Sequence, residues 1–178
     1  LHDWAVVQGR LPLAHQCAQL AACNPAGLEA VLAGPTGERN VYRVLPRARV
    51  WCHAGRHAGA EADLLSQVAA VLAVGGGVAM LPDFAELHTK LPETVQERIE
   101  LRSLDSVDNL EGALIHAQPD EVLALAQQLA LRPGPIVSLS AFKPGESSVP
   151  LARLVTERSI STNTAAAGGN ASLMTLGG

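Results

Sequence analysis

His53 and His57 stand four residues apart, the spacing at which two imidazoles on one helix face can share a metal ion. His2, His15, His88 and His116 are available as a third ligand. Gly55 and Gly59 argue against a helix there, and no Asp or Cys nearby completes a plausible set, so the pair is expected at the surface or at a cap. Cys17, Cys23 and Cys52 are odd in number and lack the paired spacing of a zinc or redox motif. Cys52 lies in an apolar run and reads as a small core residue, with His53 the one neighbour able to activate a thiol. Gly75 to Gly77 invites a phosphate-loop reading, but the run follows a helical pattern and precedes an apolar strand. A phosphate cradle needs the reverse order, so a tight turn is expected. Asp105, Asp108 and Glu111 make a small acidic group that reads as a solvated loop. Glu38 and Arg39 suit either a turn-stabilising pair or an interface contact.

The elements that would position these residues follow from apolar spacing. Over 1–32, Trp4, Val7, Leu13, Cys17 and Leu20 recur at helical intervals interrupted by Pro12 and Pro25, which predicts two or three short helices. A turn cluster covers 33–40, and 41–45 and 49–53 flank Pro46 as paired or successive strands. Leu64, Leu65, Val68, Val71 and Leu72 trace one face of a helix that stops at the glycines, followed by a buried strand over 78–81. The pattern then alternates: helical 84–98 broken at Pro92, strand 99–101, strand 113–116, helix 120–131 as a core element, strand 136–139. Short apolar strands alternating with helices predict an α/β fold, a Rossmann-like, mostly parallel sheet with helices on both faces. The final segment, 151–162, reads as a strand that leaves this sheet for a hairpin or a neighbouring subunit, followed by an extended tail.

Hydrophobic residues make up 48% of the 178 and aromatics only 3%, so the core of this globular chain must be built mainly from Ala, Val and Leu. A net charge of −4 without any Lys/Arg run excludes the electrostatic footprint of a nucleic-acid binder. Unpaired cysteines and the lack of a signal peptide point to a reducing cytoplasm. A first residue of Leu1 is expected of a piece of a longer parent.

After Arg158 no residue is charged. Asn163, Thr164, Ala165, Ala166, Ala167, Gly168, Gly169, Asn170, Ala171, Ser172, Leu173 and Met174 join small side chains and two amides to a short apolar clip. Small residues allow close backbone approach, and the asparagines can satisfy main-chain groups on burial. The stretch reads either as a docked lid on another protein surface or as a frayed terminus.

NTAAAGGNASLM following ERSIS, with GPTGERNVYRVLPRARVWC over 34–52 and LLSQVAAVLAVG over 64–75, resembles the carboxyl-terminal region of long-form proline utilization A enzymes. The resemblance spans nearly the whole chain. It implies a domain of aldehyde dehydrogenase ancestry, following modules for proline dehydrogenase and glutamate semialdehyde dehydrogenase. The parent would use FAD and NAD, lie in the bacterial cytoplasm and oxidise proline to glutamate. The resemblance leaves open a peripheral association of the parent with the inner membrane and an added DNA-binding module. Working relatives carry a lysine-proline pair at the end of the second strand, which meets the adenosine ribose; here Leu81 precedes Pro82, and Phe84 replaces the acidic partner. A leucine offers no hydrogen-bond donor. The segment 53–59 lacks the tryptophan-asparagine-phenylalanine-proline signature, and no cysteine sits in a nucleophile setting. These departures imply no catalytic, cofactor or metal residue in this fragment, with an N-terminal helical segment at 1–32, a degenerate Rossmann domain at 33–150 and a docking strand and tail at 151–178. Its partners would be the two dehydrogenase modules of the same chain or its dimer mate. A vestigial nucleotide-binding module and a subunit-association domain are the alternatives.

Overall fold

The computed structural model describes residues 1–164. The described residues divide into two compact units: 1–26 with 46–156, and 27–45 with 157–164.

The larger unit is organised by a five-stranded sheet built from β3 (Arg49–Ala54), β4 (Gly77–Met80), β5 (Ile99–Leu101), β6 (Gly112–His116) and β7 (Ser138–Phe142). Spatial order is β5-β4-β3-β6-β7, and all four pairings are parallel. Parallel strands need crossovers: the helices α3 (Ala60–Ala73) and α6 (Pro119–Leu131) supply those that follow β3 and β6, and the short helices α4 (Ala85–Lys90) and α5 (Glu93–Gln96) lie between β4 and β5. The chain runs outward from β3 through β4 to β5, then returns to place β6 on the other side of β3. That reversal creates a switch point between the carboxyl ends of β3 and β6, where open α/β sheets hold ligands.

Every residue of β6 and all but the first of β3 are buried, as expected for strands covered on both faces. Trp51, Ala79, Ala113 and Leu129 form one cluster with Leu104, Val107 and Leu110, and Leu81 and Leu125 pack against it. Leu64, Leu65, Val68 and Val71 bury the predicted face of α3. Its end is a Schellman turn: Gly76 N–H donates to Val71 O and Gly75 N–H to Leu72 O, both at 3.0 Å, with Gly75 at φ +86°. The glycine run is therefore the tight turn that its position implied.

The amino-terminal helices are α1 (His2–Val7) and α2 (Leu11–Ala22). Pro12 does not break the pattern; it occupies the first turn of α2, where a missing N–H costs nothing. Residues 29–32, placed in the helical opening by their spacing, are instead the strand β1 (Glu29–Leu32). In the smaller unit β1 pairs antiparallel with β2 (Glu38–Pro46), with Glu29 opposite Arg43 and a 2.9 Å ion pair between them. The third strand is β8 (Val155–Asn163), on the other side of β2, so the final segment does leave the main sheet. Thr164 N–H donates to Gly37 O at 2.8 Å. Of the proposed docking stretch, Asn163 ends β8 and Thr164 is exposed; Ala165 to Met174 lie outside the described residues. Among the described residues no ion pair joins Glu38 to Arg39.

Candidate functional site

Strand β3 ends in His53 and Ala54, and strand β6 ends in His116, directly opposite Ala54. Neither histidine is at the surface: His53 is 7% exposed and His116 fully buried. The surface or cap position expected for His53 is thus corrected, because the strand end carries its ring inward toward α6. His53 Nε2–H donates to Glu121 Oε1 at 2.8 Å. Gly55 follows immediately, and its N–H donates to His116 O at 2.7 Å. A Cβ at Gly55 would stand 2.3 Å from Glu121 Oε2, so only glycine lets this carboxylate lie so close to the backbone.

His57 is half-buried on the loop between β3 and α3. Its Nδ1 accepts from Gly59 N–H at 3.2 Å, which leaves the proton on Nε2. Nε2 lies 3.2 Å from Asp63 Oδ2, a close approach whose angle falls short of a hydrogen bond. Asp63 Oδ2 also accepts the N–H of Gly145 at 2.8 Å. His53 and His57 therefore engage different carboxylates on different helices, and no group of three or more ligands suited to a metal occurs among the described residues.

Beneath these pairs lies Gln67, fully buried within the apolar face of α3. Its amide nitrogen donates to His53 O at 2.8 Å and to His116 Nδ1 at 2.6 Å. Across the ring, His116 Nε2–H donates to Glu146 O at 2.6 Å. Phe142 stacks on the same imidazole, with centroids 4.8 Å apart. Gln16 Nε2 donates to Ser147 O at 2.9 Å. The loop 143–148 is thereby fastened across the switch point by backbone contacts to His116, Asp63 and Gln16.

The charge at this crevice is negative. Helix α3 carries Glu61 and Asp63 in its first turn, and α6 carries Asp120 and Glu121. Helix starts attract anions, and here the chain's own carboxylates meet that attraction. Leu81, which follows β4, packs against the Trp51 cluster and carries no hydrogen-bond donor. Cys52 is fully buried in β3, as expected, and burial pushes its thiol far up. Glu111 differs from the expected solvated loop: its carboxylate accepts Ala48 N–H at 2.7 Å and ties the starts of β3 and β6.

Sequence spacing missed this network, since Gln67 belongs to no motif. The available signal was a lone amide among Leu64, Leu65, Val68 and Val71 on a core-facing helix, which must find buried partners.

No family model matches the chain. It is 45% identical to the bifunctional protein PutA of Escherichia coli over 99% of its own length, and 36% identical to PutA of Rhizobium meliloti over 85%. In each case the chain spans 13% of the relative. Among solved structures, a proline utilization A with proline bound in remote sites aligns over 74% of this chain and 15% of that one, with a TM-score of 0.55 and 22% identity. A 3,6-anhydro-L-galactose dehydrogenase in complex with NAP aligns over 74% of this chain and 30% of that one, at 0.51 and 10% identity. These structures share the fold, and the identities to the PutA proteins carry the kinship: the chain belongs to the proline utilization A family, as a domain with the aldehyde dehydrogenase fold.

Proposed function

We propose that this domain is a non-catalytic part of a proline-catabolic enzyme, whose end covers the passage along which a reactive semialdehyde moves between two active sites. The observation that carries the non-catalytic half is the filled switch point: Glu121 and the loop 143–148 take the place where a nucleotide would sit. Leu81 adds to it, and so does the acidic first turn of each flanking helix. These residues do not fit a dinucleotide.

The docking half rests on the uncharged run after Arg158. In this reading residues 1–32 and 33–150 form the scaffold, and 151–178 carry Asn163 to Met174 onto the semialdehyde dehydrogenase module of the same chain or its dimer mate. FAD and NAD belong to the proline dehydrogenase and semialdehyde dehydrogenase modules of the parent. The parent is assigned to the bacterial cytoplasm, with the inner membrane as its peripheral site of association. A cover slows escape of the intermediate to bulk water and raises the chance of its next encounter.

Calorimetry of the 178-residue chain with NAD tests the non-catalytic half. No saturable heat is expected up to about 1 mM ligand. Saturable binding in the micromolar range would overturn the reading.

A further inference from the structure

We draw no further inference here: the strongest candidate, the uncharged surface patch on the outer face of α6 where Leu123 and Leu131 stand exposed, carries nothing because nothing in the structure shows what covers it.

Discussion

Gln67 and His116 meet in the interior with 2.6 Å between amide nitrogen and Nδ1, and neither is exposed at all. The second amide proton of Gln67 goes to the His53 carbonyl, which fixes which way the amide faces. His116 Nδ1 must therefore accept, and its proton sits on Nε2, donated to Glu146 O. Two side chains thus join α3, both central strands and the loop that closes the crevice.

Replacing Gln67 by Leu keeps the volume of the side chain but leaves the His53 carbonyl and His116 Nδ1 without donors. The expected loss is about 2–4 kcal/mol in urea unfolding, the cost of stranding two buried acceptors. A loss of less than roughly 0.5 kcal/mol would mean that the network is not formed in solution.

Gly55→Ala drives a methyl into Glu121 Oε2, and the exposed end of that side chain can yield by leaving His53. The substitution is expected to cost about 1–2 kcal/mol. Adding Glu121→Ala should recover part of it, a coupling of roughly 0.5 kcal/mol or more in a double-mutant cycle. Strict additivity would show that the two residues do not touch.

Cys52 gives the fold an alkaline limit. Its native thiol is pushed up by burial, whereas in the unfolded chain it ionises near the ordinary 9.0. Above that pH the unfolded state sheds a proton that the native state keeps, so this contribution is complete below 9.0 and declines as pH rises. The half-buried Cys17, also raised by desolvation, acts in the same direction. Unfolding equilibria measured across this range should shift toward the unfolded state by up to roughly tenfold per pH unit for each such thiol, and Cys52→Ala should flatten the curve. An unchanged curve in Cys52→Ala would show that the thiol is accessible to solvent. Iodoacetamide should modify the exposed Cys23 in the folded chain and leave Cys52 untouched.

Leu81→Lys places after β4 the lysine that the family resemblance implies for a nucleotide-binding member. It also removes an apolar contact from the Trp51 cluster, at an expected cost of about 1–2 kcal/mol. With Glu121 and the loop 143–148 still in place, NAD binding should not appear in calorimetry. Binding from this one change would mean that the crevice is open.

The alternation of strands and helices was legible because parallel, doubly covered strands are continuous apolar runs, and β4, β5 and β6 fall within a residue or so of their expected limits. Gly75 marked the end of α3 for a local reason, its left-handed backbone. Strand β1 was not legible, because four residues gain strand form only by pairing with β2. Strand β7 begins later than its apolar start suggested: Ile136 is 99% exposed and precedes it, since two prolines and a glycine hold the chain in a turn. Helix α6, expected as a core element, buries only Leu129, which joins the Trp51 cluster with Leu125 packed beside it. The crevice was hidden because its partners come from five separate stretches of chain, and no local spacing reports contacts such as Asp63 with Gly145 or Gln67 with His116.

The docking role is tested most directly by coupled turnover in the longer parent with and without residues 163–178, starting from proline and following NADH. Each half-reaction supplied with its own substrate should keep its rate in the shortened protein, while the coupled reaction should gain a lag and release semialdehyde to an external trapping amine. A shortened parent that produces NADH from proline without lag or leakage would contradict the proposal.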